Sequence, residues 1–113
     1  MLITFLSNAD ADVIMFGEVG QQMLVAMGKD PQAQEGIVTL EQLPLALIAL
    51  QQAVQQDRLA QRQSASDEDE EEQDAKRSSI IHFAQRAVPL LDMLQRSINE
   101  KTPVLWRVSG NKA

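Results

Sequence analysis

The residues of this chain whose side chains could do chemistry are few and scattered. Asp10, Asp12, Glu18, His82, Arg86, Asp92 and Arg107 are the polar candidates for acid–base or binding work. General acid–base catalysis needs two such groups converging in a cleft, and nothing in the linear order brings any two of them together. His82 is the one histidine and falls on the polar side of a helical pattern, beside Arg86. A lone histidine there is far more often solvated than a ligand or a base. There is no cysteine. That removes disulfides, thiol nucleophiles and cysteine-ligated zinc, and gives no sign of an oxidising compartment. No phosphate-cradling glycine loop, no Ser–His–Asp order and no metal-ligand spacing is present. Neither a cofactor nor a catalytic or metal-binding residue is expected.

Gly17-Glu18-Val19-Gly20 has the GxxG form of the loop with which KH domains grip nucleic acid. Such a loop is flanked by basic residues and meets phosphates. Here it holds a glutamate and lies inside a helical pattern, so close helix packing is the better reading. The charge balance agrees. Seven acids and two bases lie between residues 64 and 77, which leaves nine acids and eight bases elsewhere. The remainder is thus close to neutral, and no basic face for nucleic acid is expected.

The acidic stretch contains Asp67, Glu68, Asp69, Glu70, Glu71 and Glu72 in one run. A segment so poor in apolar residues cannot offset its ordering entropy, so residues 63–78 are predicted to be a disordered loop. The same six acids could bind a divalent cation or meet a basic partner. They lack EF-hand spacing and a turn glycine, and a solvated, self-repelling loop is the plainer reading.

The elements that must position all of this follow from periodicity. Met1 to Leu6 reads as a short strand, apolar without clean alternation, as at the centre of a sheet or in a strand buried on both faces. Ala9 to Gly28 reads as one amphipathic helix. Ser7, Asn8 and Asp10 stand as its N-terminal caps, and Val13, Phe16, Met23 and Met27 form its stripe. Its methionine-rich face is core first, although methionine also suits adaptable binding surfaces. Gly17 and Gly20 each cost a helix interior roughly 1 kcal/mol against alanine and so suggest a close approach of another backbone. Gly28 ends the run in a left-handed conformation. Ile37-Val38 offers a brief extended piece, a candidate third short strand.

A second helix is predicted over about 40–62, with Thr39 and Gln42 as a capping box. Pro44 lies either in its first turn or after a 3₁₀ turn. Leu43, Leu47, Leu50 and Val54 form its apolar stripe. A third helix is predicted over about 79–99, kinked at Pro89. Ile80, Ala84, Ala87, Leu91, Leu94 and Ile98 form its stripe, widened by Phe83, Val88 and Leu90. Thr102 to Val108 closes the chain as a strand.

The fold class is α+β, in the order β-α-α-α-β. Three helices pack on a small sheet made by the N- and C-terminal strands, which alternating directions would make parallel. A two-stranded sheet leaves both edges open, so strand-edge or helix-face dimerisation is a possibility. The chain starts without a basic leader region, and its longest apolar stretch, Leu43 to Leu50, is too short to span a bilayer. A single domain in the cytoplasm, with no membrane partner, is expected.

Several strings together resemble the DUF1840 family of small bacterial proteins of unknown function. They are the opening MLITF, Asp12 to Val19 with Met27-Gly28-Lys29, Leu43-Pro44-x-Ala46-Leu47, and Arg86-Ala87-x-Pro89-Leu90-Leu91 before a terminal Val-x-Trp. The family has Asp where this chain has Glu18, and Ala where it has Gly20. The resemblance covers nearly all of the chain outside the acidic segment. It implies a bacterial cytoplasmic domain and carries over no catalytic residue. The function expected is a non-enzymatic interaction module, in contact with an unidentified protein or with itself. Phe16, Trp106 and the six acids are its candidate contacts. The alternative is a small enzyme or small-molecule-binding domain with a polar cleft.

Overall fold

The structure, a computed structural model, describes the backbone of residues 1–65 and 70–109, and the side chains of these except 61–65 and 70–82. Its described elements are β1 (Leu2–Ser7), β2 (Asp10–Phe16), α1 (Gly17–Ala26), β3 (Glu35–Val38), α2 (Leu43–Ala65), α3 (Glu70–Glu100) and β4 (Val104–Ser109). The class is α+β, with three helices and a four-stranded antiparallel sheet in the order β2-β1-β4-β3.

The two terminal strands are central neighbours, Leu2 opposite Ser109 and Phe5 opposite Trp106. Their pairing is antiparallel, which corrects the parallel arrangement inferred from alternating directions. The extra strands β2 and β3 reverse the chain and change the count. They also occupy the two edges that a pair of end strands would leave open.

The largest correction concerns residues 9–16. They are the second arm of a hairpin with β1 and not the first turns of a helix. Val13 and Phe16 fit a helical stripe, but Val13 and Met15 fit a strand equally well, and the edge of β1 needed a partner. The supposed caps form the hairpin turn instead: Ser7 Oγ accepts from the Ala9 N–H at 3.1 Å, and Asp10 accepts from the Ala11 N–H at 2.8 Å. Phe16 consequently leaves the core and is 72% exposed.

Helix α1 therefore begins at Gly17, with Phe16 as a cap that makes no side-chain hydrogen bond. The carbonyl of Met1 supplies the missing acceptor, taking the Gly17 N–H at 2.9 Å. Gly20 lets the helix settle on β1, because a β-carbon there would stand 2.8 Å from Ile3 Cδ1 and 2.9 Å from its Cβ. Gly28 closes the helix at φ 80°, as its place in the sequence predicts.

The capping box of α2 forms in both directions. Gln42 N–H donates to Thr39 Oγ1 at 3.3 Å, and Thr39 N–H donates to Gln42 Oε1 at 3.1 Å. Pro44 lies in the first turn, where its missing N–H costs nothing. Leu43, Leu47, Leu50 and Val54 are buried as expected, whereas Ile48 is exposed. In α3 the buried stripe is Phe83, Ala84, Ala87, Leu90, Met93, Leu94 and Ser97, with Leu91 and Ile98 half-buried. It is turned slightly from the predicted one, and Val88 faces solvent. Helix α3 starts at Glu70, so the backbone of 70–78, expected as loop, is its first turns. Of the acidic run, Asp67, Glu68 and Asp69 lie outside the described residues, as do the side chains of Glu70, Glu71, Glu72 and His82.

One core joins the helices to the inner face of the sheet. Ile3, Phe5, Met15, Val38, Val104 and Trp106 meet Met23, Leu24, Leu43, Leu50, Leu90 and Met93. Ser97 is the one polar side chain among the buried residues described, and it shares a 2.6 Å hydrogen bond with Ser7 that ties α3 to β1.

Candidate interaction surface

A strand turns successive side chains to opposite faces, so burying Ile3, Phe5, Met15, Trp106 and Val38 sends their neighbours outward. The outer face of the sheet can be read row by row from the register. Phe16 lies opposite Leu2, and Leu2 opposite Ser109. The next row runs Ile14, Thr4, Arg107, Glu35. The third runs Leu6, Leu105, Ile37. Among the described residues, no helix covers this face. Phe16, Ile14 at 57%, Leu105 at 46%, Ile37 at 42% and Leu2 at 37% stand exposed on it.

The apolar residues occupy two diagonally opposed corners. Phe16, Leu2 and Ile14 form one. Leu6, Leu105 and Ile37 form the other and line a shallow hollow of about 510 Å³, with Glu35 and Arg107 on its rim. Between the corners, Arg107 stands directly across from Glu35, so the polar row carries no net charge. Exposed apolar surface gathered on one face in this way marks an interaction site more than chance scatter does.

Trp106 does not reach this surface. It is 3% exposed and packs inward over Gly36, and its indole N–H has no hydrogen-bond partner.

The polar candidates do not converge. Asp10 pairs with Arg96 at 3.2 Å, an exposed contact of little energetic weight. Asp12 lines a small hollow with Asn8, Thr102 and the outward-facing Leu6 and Leu105. Arg86 and Asp92 are exposed on α3, and Arg107 is on the outer sheet face. Of the candidates whose side chains are described, Glu18 alone enters the cleft of about 700 Å³ between α1, α2 and α3, along with Gln21, Gln22, Gln32, Phe83 and Asp57. Gln21 is already committed there, donating to the Pro31 carbonyl at 3.2 Å. Burial raises the pKa of the Asp57 carboxyl above its ordinary value. Asp57 is a residue that sequence reasoning passed over, since it sits in the polar tail of a helix and nothing local marks it. Among the described residues, no group of three His, Cys, Asp or Glu side chains could hold a metal ion.

A family model, "Domain of unknown function (DUF1840)", matches residues 1–106, nearly the whole chain. The chain belongs to the DUF1840 family. No curated protein and no solved structure matches it. Among the described residues of this DUF1840 domain, no helix is long and apolar enough to cross a membrane.

The residues of the open face, apart from Phe16, were not expected as contacts. A signal for them was present. Val104-Leu105-Trp106-Arg107 alternates, so Leu105 must point away from the side that Trp106 takes. The apolar β1, without clean alternation, pointed either to burial on both faces or to a sheet centre; it lies at the centre of the sheet, and among the described residues only one face is covered.

Proposed function

We propose that this DUF1840 domain is a non-enzymatic protein-interaction module that docks through the outer face of its sheet. The observation that carries this is the set Leu2, Ile14, Phe16, Ile37 and Leu105, all exposed on one face of a four-stranded sheet whose other face is buried. Water held against such a face is released when a partner covers it, and that release drives association.

The sheet edges are poorer candidates. The strand β3 is only four residues long, and the edge strand β2 begins with Asp10 and Asp12. Short and charged edges resist strand addition. The small-molecule alternative has weaker support, because only one of the described polar residues expected to build a cleft lines that between the helices. The absence of cysteine and the chain's resemblance to a family of small bacterial proteins fit work in the bacterial cytoplasm. The acidic segment is proposed to take no part in docking.

A photo-activatable amino acid at Ile14, compared with one at Val88, tests the proposal in cells. Val88 is also exposed but lies on α3. A defined protein adduct, to another copy or to a different protein, is expected from Ile14 and not from Val88. Equal, diffuse labelling from both positions, or no adduct from Ile14 in folded protein, contradicts it.

A further inference from the structure

The outer face carries both halves of a contact. Phe16, the most exposed apolar residue of the face, projects from one corner, and the hollow floored by Leu6, Leu105 and Ile37 lies at the other. We propose that the partner seated on this face is a second copy of the same chain, with each Phe16 entering the hollow of its mate. This inference rests on the docking reading above and names the partner.

Three features argue for self-pairing. The knob and the hollow are diagonally opposed, so a single two-fold axis in the plane between two facing sheets makes both contacts at once. An isologous pair of this kind closes and does not grow into a filament. The face is about as wide as it is long. Four strands about 4.8 Å apart span roughly 15–20 Å, and three rows of outward side chains span a similar distance. An axis along its other diagonal therefore makes the strands of the two sheets cross near a right angle, an established mode of sheet packing.

The charges also suit a copy. Arg107 and Glu35 are cross-strand neighbours, so their row as a whole is neutral, and the one further charge beside the hollow, Asp12 next to Leu6 and Leu105, lies at the end of an edge strand where it keeps access to water. Outside 64–77 the chain holds nine acids and eight bases, and two such bodies repel each other only weakly.

The area sets the strength. A face on the order of 20 Å by 20 Å offers about 400 Å² in projection, and protruding side chains raise its accessible area toward the roughly 800 Å² per partner of a standard interface. An aromatic knob in an apolar hollow supplies the anchor that such interfaces depend on. A reversible dimer with a micromolar dissociation constant is expected.

Sedimentation equilibrium of the full chain from about 5 µM to 1 mM reads this directly. The mass is expected to rise toward twice that of one chain. Phe16→Asp and Leu105→Lys should each weaken association at least tenfold, and Val88→Lys should leave it unchanged. All three positions are exposed, and circular dichroism checks that each variant folds. An equimolar mixture of Phe16→Asp with Leu105→Lys should associate at least several-fold more tightly than either alone. The mixed dimer keeps one intact knob in one intact hollow and sets Asp against Lys at the other.

A single-chain mass up to 1 mM, a dimer indifferent to both variants, or a mixture no tighter than its components overturns self-pairing. A single-chain mass together with an Ile14 adduct to a different protein overturns the second copy alone and leaves docking through the face standing. A dimer indifferent to both variants, with no adduct from Ile14, removes both.

Discussion

Trp106 lies against Gly36 on the neighbouring strand so closely that a β-carbon at that position would force the ring to shift. A β-carbon on Gly36 would stand 2.6 Å from Cε2 and 2.9 Å from Nε1 of the indole. The two residues are register partners in the β3–β4 pair, and the missing side chain makes room for the ring. Gly36→Ala is expected to lower stability by about 1–3 kcal/mol, the usual cost of overpacking. Most of that cost should vanish in a Trp106→Phe background, because the smaller ring leaves space. Trp106→Phe alone should cost less than a core truncation of that size, since it also removes an unpaired buried N–H. A double-mutant cycle by urea denaturation measures the coupling. Additive effects would mean that the ring does not rest on Gly36.

The Ser7–Ser97 hydrogen bond, 2.6 Å long with Ser97 fully buried, joins the last turns of α3 to the end of β1. Ser97→Ala should cost about 1–2 kcal/mol by stranding its partner. The double variant Ser7→Ala/Ser97→Ala should cost less than the sum of the two singles. Chemical denaturation of the four proteins checks this.

Two helix ends use the left-handed conformation, one well suited and one strained. Gly28 at the end of α1 has φ 80°, and a β-carbon there meets nothing within 4 Å. The cost of Gly28→Ala is therefore conformational only, about 1 kcal/mol. Lys101 after α3 has φ 57°, with Thr102 N–H bonded to the Ser97 carbonyl at 3.0 Å. Lys101→Gly relieves strain at some cost in unfolded-chain entropy, for a net stabilisation of about 0.5–1 kcal/mol. Thermal melts of the two variants should shift in opposite directions.

Asp57, in the cleft between the helices, has its carboxyl pKa raised by burial. The folded state then holds the proton more tightly than the unfolded chain does. Stability is lost as pH rises from the unfolded pKa through the raised folded one, and the loss persists above that window. Asp57→Asn should be more stable than the parent at neutral pH, and the difference should disappear as pH falls below about 4. Denaturation at pH 3.5 and at pH 7 checks the sign, and a variant less stable than the parent at pH 7 would contradict it.

The helices were legible in the sequence because their apolar stripes are long enough to fix a period. Leu43 to Val54 kept its buried set and its cap, and Gly28 its conformation. The end strands were legible as neighbours, but neither their antiparallel direction nor their place inside a four-stranded sheet was. The first helix was not, because over 10–16 Val13 and Phe16 suit a helical period while Val13 and Met15 suit a strand. Only the open edge of β1, a tertiary fact, decides between them. The start of α3 was hidden for a different reason: local composition at 70–78 argues against order, whereas the helix continues backward from a packed segment. The outer face was half legible. Its alternation was written in 104–107, but whether a helix would cover it depends on where three connections run, and no local pattern encodes that.

Docking through the sheet is tested most directly by hydroxyl-radical labelling of the full chain at low and at high concentration. Phe16, Ile14, Ile37 and Leu105 on the sheet are read against Val25, Leu45 and Val88, which are exposed on the helices. The sheet residues should lose reactivity several-fold at high concentration while the helix residues keep theirs. Undiminished labelling of Phe16 and Leu105 at high concentration, or protection confined to the helices, would contradict the proposed interface.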